Sequence, residues 1–307
     1  MQTILGSGGI IGIELAKNLP KHTNSIRLVS RNPRKVNPSD ELFPCDLTNG
    51  EEVKKAVKGS EVVYLTVGLD YNLKVWEDIW PKIMRNTIDA CAFNDCKMVF
   101  FDNVYMYDKD HLGNMTEDTP INPSSKKGKV RAEIAEMMMN ACDKATITGL
   151  IARAPDFYGP GNDKSMLMVS VYDNFKQGKK ANWLGKIDCK HSFIYTPDAG
   201  KATAELGNSN IAYNQVWHLP TAPEPLTGKE WIDIFAREMK IKNPKHQVAG
   251  ETMASILGLF NPIMKELAEM TYQYDRDYVF NSDRFERQFN TKATSYANGV
   301  DSIIRPQ

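Results

Sequence analysis

Gly6, Gly9 and Gly12 stand near the start of this chain at a spacing that could hold a phosphate. A short apolar run (Ile4, Leu5) precedes them, and Ile11, Leu15 and Leu19 follow at the spacing of one helix face, which places the glycines in a tight turn between strand and helix. Glycine admits positive φ and lets the backbone approach a ligand closely. The helix behind offers unpaired N–H groups and the positive end of its dipole to an anion. The loop reads as the pyrophosphate site of a dinucleotide.

Other residues could move protons or bind anions, and each has an ordinary structural role beside that one. Tyr105 and Tyr107 follow an apolar strand, where a phenol can serve as an acid or pack under a loop. His191 lies in a strand-like run and could be an acid or a hydrogen-bonded structural residue, and His111 and His218 read as structural. Lys126, Lys127, Lys129 and Arg131 form a basic cluster that suits a sugar diphosphate or, more ordinarily, solvent. Trp76, Trp80 and Trp183 could line a pocket for a ring-shaped substrate, with core packing the commoner use. The five cysteines are odd in number and lack CxxC spacing, which implies reduced thiols, no disulfide framework and no metal site.

Strands and helices must alternate to position these groups. Ile26–Ser30, Glu61–Val67, Met98–Phe101 and Gly149–Ala152 read as strands, with helices over Glu51–Lys58, about Lys74–Asn94 and about Lys129–Asp143. That order predicts an α/β, doubly wound parallel sheet of Rossmann type, whose ligands sit beyond the carboxyl ends of its strands. Residues 1–155 form the expected nucleotide-binding core. Residues 156–307 form a smaller, mostly helical substrate-binding region interwoven with it, with helices near Ser165–Lys176, Asp198–Leu206 and Leu226–Met239. The Met-rich stretch Met253–Met270 reads as a helix pair broken at Asn261-Pro262.

With 38 basic and 38 acidic residues the chain has no net field to attract nucleic acid or an acidic membrane. No stretch approaches the roughly 18 apolar residues of a membrane span, and the first strand begins too early for a cleavable leader. The expected partner is a small-molecule substrate, in the cytoplasm. A homodimer through Lys74–Asn94 and Lys129–Asp143 is open.

In order, these segments resemble the extended, NAD(P)-dependent epimerase/dehydratase branch of the short-chain dehydrogenase/reductase superfamily. Gly6-Ser7-Gly8-Gly9-Ile10-Ile11-Gly12 matches its GxxGxxG loop, and Cys45-Asp46-Leu47 its acidic residue facing adenine. Asn86 stands at its structural asparagine, Arg153–Gly161 resembles its RxxxxYGPG stretch, and His191–Asp198 its late strand. Asp102–Tyr107, Lys127–Glu133 and Glu266–Tyr274 look like a bacterial subgroup known as NAD-dependent epimerases. The resemblance implies cofactor contacts at Gly6, Ser7, Gly9, Ile10, Ile11, Gly12, Arg31, Asp46, Leu47, Val67, Lys129 and Pro155, and substrate contacts at Tyr158 and His191. At the end of the second strand, Ser30-Arg31 replaces an acidic residue and Arg34-Lys35 follows, which favours NADP, with NAD possible.

The catalytic pattern departs from the family. The YxxxK pair, in which lysine lowers the tyrosine pKa, falls on Ser125 and Lys129, and the usual serine on Asn103. Three readings follow. Hydride transfer continues, with Lys129 on the ribose, Asn103 polarising a carbonyl, and Tyr105, Tyr107 or His191 as a relocated acid. Alternatively water or the substrate supplies the proton, or the chain binds NADP without catalysis, as a sensor. A nucleotide-sugar epimerase or dehydratase is the family-name alternative.

Overall fold

The computed structural model describes residues 1–249 and 269–306, so the Met253–Met270 helix pair lies almost wholly outside the described residues. Two compact units, each discontinuous in sequence, divide the chain.

The first unit takes Met1–Met106, Lys127–Ala154 and Pro197–Leu219. Its sheet contains β1 (Gln2–Leu5), β2 (Ile26–Ser30), β3 (Glu41–Pro44), β4 (Val62–Leu65), β5 (Lys97–Asp102), β6 (Gly149–Arg153) and β10 (Val216–His218). All seven are parallel in the order β10-β6-β5-β4-β1-β2-β3. The register seats Leu5 of β1 between Val29 of β2 and Leu65 of β4, all with no exposed surface. Central strands of this kind are covered on both faces, which is why they read as continuous apolar runs. The order reverses between β1 and β4, and the glycine loop leaves β1 at that switch point.

Two strands carry weak sequence signals. Exposed, charged β3 sits at one edge, and three-residue β10 at the other. Among the helices are α1 (Ile10–Asn18), α2 (Gly50–Ala56), α3 (Leu73–Asn94), α4 (Lys126–Asp143) and α6 (Thr196–Gly207). Trp76 and Trp80 of α3 lie in the core beside Met84, Phe100 and Ile134, so they pack the unit rather than line a pocket. Each such large apolar side chain contributes roughly 1.5–3 kcal/mol on burial.

The second unit takes Tyr107–Lys126, Pro155–Thr196 and Pro220–Gln307. It is less helical than the sequence suggests. β7 (Asp156–Tyr158) pairs with β9 (Phe193–Tyr195), and β8 (Ala181–Leu184) with β11 (His246–Ala249), both in parallel. The helix read at 165–176 contains a π-helical turn over Met168–Tyr172 before α5 (Asp173–Lys176). α7 (Gly228–Glu238) opens on a capping box made by Thr227 and Glu230. α8 (Asp283–Phe289) and α9 (Tyr296–Ile304) complete the unit, whose core joins Tyr158, Phe193, Trp231, Phe235 and Tyr296.

Candidate active site

The dinucleotide cradle is built within the first unit by backbone. Gly6 has φ +94, and a Cβ there would lie 2.5 Å from Val67 backbone atoms, so Val67 marks the floor of the loop and only glycine fits. A Cβ on Gly12 would come within 2.9 Å of Gly6 and Ser7. Gly8 and Gly9 are exposed, and nothing lies within 4 Å of a Cβ built on Gly8. Gly9 is the N-cap of α1 but supplies no side-chain cap, and the first turn, which includes Ile10 and Ile11, carries no acid. The helix end therefore faces outward with its N–H groups available to an anion. Ser7 adds a buried hydroxyl with no hydrogen-bond partner among the described residues. This donor set fits a pyrophosphate.

At the adenine end, Arg31, Arg34 and Lys35 are exposed, and Asp46 faces Arg31. The Asp46 carboxylate accepts from the Thr48 N–H at 3.0 Å and from its hydroxyl at 2.9 Å. Those two bonds, and then the Arg31 charge, hold its carboxyl below the usual range. Asn49 caps α2, accepting from the N–H groups of Glu51 and Glu52. Leu47 is buried and its carbonyl accepts from Asn86 Nδ2 at 2.9 Å, so Asn86 has a structural role.

Beyond β5 the first unit contains a buried ionic brace the sequence did not reveal. Asp102 accepts from Arg131 Nε of α4 at 2.8 Å and from Arg153 Nη2 of β6 at 3.2 Å. A second Arg131 nitrogen also donates to it. Asn103 donates its backbone N–H to Asp102, and its side-chain oxygen accepts from the Tyr105 N–H at 3.1 Å, tying that amide into its own turn. Tyr105 stacks on Trp76 at 6.2 Å, and Trp76 meets Tyr71 edge-on at 5.7 Å.

α4 begins at Lys126, three residues before the position read from sequence, so that both Lys127 and Lys129 are helical and its packed face decides which is inside. Lys127 is fully buried, with its ammonium 4.7 Å from the Tyr71 ring centre. Lys129, the lysine expected at the cofactor ribose, is exposed. Lys127 and Arg131 share the buried face because they are four residues apart on the helix.

The second unit contains the groups best suited to moving protons. Ser125 is buried at the entry to α4. The neighbouring hydroxyl is that of Tyr272, in the 3-10 turn Thr271–Gln273. The Tyr272 oxygen is shut from solvent beside the Ser125 hydroxyl. Burial pushes its pKa up to about 12, and the Ser125 hydroxyl partly offsets that rise. His191 is 2% exposed, and its Nε2 lies 2.9 Å from the Asp156 carboxylate. Tyr274 donates to the same oxygen at 2.8 Å. The His191 ring is stacked between Tyr274 and Tyr278, at 4.5 and 4.2 Å.

Two assignments change in this unit. Tyr158 is fully buried against Tyr195, Trp231 and Tyr296, so it belongs to the core instead of a substrate wall. Tyr107 is also fully buried, bridged to Ile121, which removes it from the relocated acids. Trp183 packs in the same core as Tyr158. Pro155 is buried and opens this unit's second segment. Tyr272, Asp156 and Tyr274 carried no sequence signal beyond their presence in resembling segments. Among the described residues no cluster could hold a metal ion, and no helix is long and apolar enough to cross a membrane.

A seven-stranded parallel sheet with a glycine loop at its switch point defines a Rossmann-type dinucleotide-binding protein. The sequence model of the "NAD dependent epimerase/dehydratase family" matches residues 3–214, and the chain belongs to that family, whose cofactor is a nicotinamide dinucleotide. Solved structures share the fold over nearly the whole chain. UDP-glucose 4-epimerase of Thermus thermophilus, in complex with NAD, superposes with a TM-score of 0.78 at 16% identity, covering 100% of this chain and 99% of that one. UDP-glucuronic acid 4-epimerase of Bacillus cereus, also with NAD, gives 0.79 at 14% identity over 98% and 94%. The dTDP-glucose 4,6-dehydratase DesIV of Streptomyces venezuelae, with NAD and DAU bound, was solved as a double mutant and gives 0.77 at 13% identity over 99% and 96%. No curated protein matches the sequence.

Proposed function

We propose that this protein transfers hydride between a nicotinamide dinucleotide and a small carbonyl or sugar-like substrate, with NADP preferred over NAD. The observation that carries the reading is the intact cradle, with Gly6 and Gly12 packed where no Cβ fits and the α1 end left uncapped. When bound, the nicotinamide supplies or accepts the hydride; the chain must do the rest. Gly8, Gly9 and the first turn of α1 bind the pyrophosphate by backbone N–H groups. Arg31, with Arg34 and Lys35 beside it, binds a ribose 2′-phosphate as a charged fork. Lys127 takes the ribose-holding role expected of Lys129, because it is the buried lysine of the pair. Asn103 accepts from the Tyr105 N–H through its side-chain oxygen, which orients its amide N–H group as the donor that would polarise a substrate carbonyl.

The experiment is an equilibrium titration with NADPH and NADH, on the native chain and on Arg31→Ala. A preference for NADPH of about tenfold, or 1.4 kcal/mol, that collapses in the variant supports the reading. Equal affinities would make NAD the cofactor, and binding of neither would remove hydride transfer altogether.

A second reading, a nicotinamide-binding sensor without catalysis, is favoured by Ser125 standing where an active site of this kind would need a stronger acid. It requires cofactor binding with no label passing from 4-deuterated NADPH to any carbonyl in a broad panel. The names of the structural neighbours favour nucleotide-sugar substrates. An epimerase acting on these would hold its cofactor tightly and consume none.

A further inference from the structure

We propose that the buried carboxylate of Asp40 sets the preference for NADP by fixing the place of Arg34, the second cation at the 2′-phosphate; this rests on the NADP reading. Asp40 touches no ligand itself. It is a positioning residue that acts through Arg34.

The cations beside the ribose are not equally well anchored. Arg31 follows directly on β2 and takes its place from the sheet. Arg34 and Lys35 lie inside the connection 31–40, which belongs to no helix or strand. In the parallel register Ser30 stands beside Pro44 and Arg27 beside Glu41, so this connection runs from the carboxyl end of β2 back to the amino end of β3. That span is about 10 Å, three residue steps of a strand, whereas ten extended residues would reach roughly 33 Å. The connection has slack, and the position of Arg34 depends on how that slack is folded.

Asp40 folds it. The residue is 2% exposed. Its Oδ2 accepts the N–H of Val36 at 3.0 Å and that of Asn37 at 2.6 Å, and its Oδ1 accepts from Asn37 Nδ2 at 3.2 Å. In return the Asp40 N–H donates to the Asn37 carbonyl at 3.1 Å. Asn37 Nδ2 also donates to the Ala16 carbonyl at 2.8 Å, which pins the connection to α1, the helix whose first turn faces the pyrophosphate. Pro33 and Pro38 restrict φ on either side of this clamp, and Lys35 Nζ donates to the Pro38 carbonyl at 2.7 Å.

Every hydrogen bond of the Asp40 side chain among the described residues goes to the two residues that follow Lys35. A carboxylate is costly to bury without such donors, and all of these serve one connection. The Arg34 guanidinium, in contrast, is exposed and makes no hydrogen bond among the described residues. A guanidinium on fixed backbone loses less freedom on meeting a phosphate than one on a slack loop, so a residue remote from the ligand changes its affinity. NADH has no 2′-phosphate and gains nothing from this clamp.

The test measures dissociation constants for NADPH and NADH on the full chain, on Arg34→Ala, on Asp40→Ala and on the double variant. Asp40→Ala should lower the NADPH preference about threefold or more, leave NADH affinity within about twofold, and have no further effect on the preference once Arg34 is alanine. A merely structural role would weaken both cofactors together. An equal loss for both, an unchanged preference, or a loss that adds in full to that of Arg34→Ala overturns the inference; the NADP reading stands if Arg31→Ala still abolishes the preference. A native chain that does not prefer NADPH removes the NADP reading and this inference with it. If Asp40→Ala does not fold, Asn37→Ala takes its place, since it keeps both backbone bonds to Asp40, frees the connection from α1 and is judged by the same outcomes.

Discussion

Lys127 and Lys129 lie two residues apart on α4, yet one is buried on Tyr71 and the other is in water. Lys127→Ala should weaken NADPH binding about tenfold, roughly 1.4 kcal/mol, whereas Lys129→Ala should leave it within about twofold. Isothermal titration of both variants checks this, and the reverse order would restore Lys129 to the ribose. Gly6→Ala is the matching backbone test. A methyl group would have to displace Val67 main chain, at a φ that alanine resists. We expect cofactor binding to be lost in any Gly6→Ala protein that folds, read by fluorescence of bound NADPH. The glycine loop was legible in sequence because its chemistry is local: three small residues between a strand and a helix. The choice of lysine was not legible, because it depends on which face of α4 packs inward, and Lys127 and Lys129 lie about 200° apart around the helix axis. Tyr272 was equally hidden, since nothing in spacing connects it to Ser125.

Elements are joined in the first unit by charge as well as by apolar packing. Asp102 ends β5, Arg153 ends β6 and Arg131 lies on α4, so one carboxylate ties together two strands and the helix that carries Lys127. The Arg131 guanidinium also lies 4.5 Å from the Trp80 ring and 5.0 Å from that of Phe100. Removing the carboxylate strands two buried cations, and Asp102→Ala should cost about 3–5 kcal/mol, seen as a lower urea midpoint. In the second unit, Thr227→Ala deletes one half of the α7 capping box and should cost about 1 kcal/mol. Strand and helix order was readable because β1, β4, β5 and β6 are continuous apolar runs bounded by helical periodicity. β3 and β10 were not, being short edge strands; β9 was read, in the strand-like run from His191, but its pairing with β7 and the β8–β11 pair were not. Their residues alternate too briefly to separate strand from loop, and only partners far along the chain define them.

At the scale of the molecule, the two units share a vulnerability to alkali. Tyr64 and Tyr213 in the first unit are buried, with their hydroxyls donating to Gln2 Oε1 at 2.8 Å and to the Gly207 carbonyl at 2.6 Å. Tyr296 in the second is buried among Tyr158 and Trp231. Burial raises the pKa of all three above the ordinary phenol value of 10.0. An acid whose folded pKa is raised contributes its full stabilisation below the unfolded pKa and loses it as pH rises toward the folded one. Stability should therefore be flat on this account up to about pH 10, then fall by about 1.4 kcal/mol per pH unit for each such tyrosine. Urea denaturation at pH 8, 10 and 11 reads that slope. Tyr64→Phe leaves no proton to lose and should make the alkaline fall shallower by one tyrosine's share, even though it costs stability at pH 8 by removing the bond to Gln2. An unchanged slope in Tyr64→Phe would mean that the loss above pH 10 comes from groups other than this phenol.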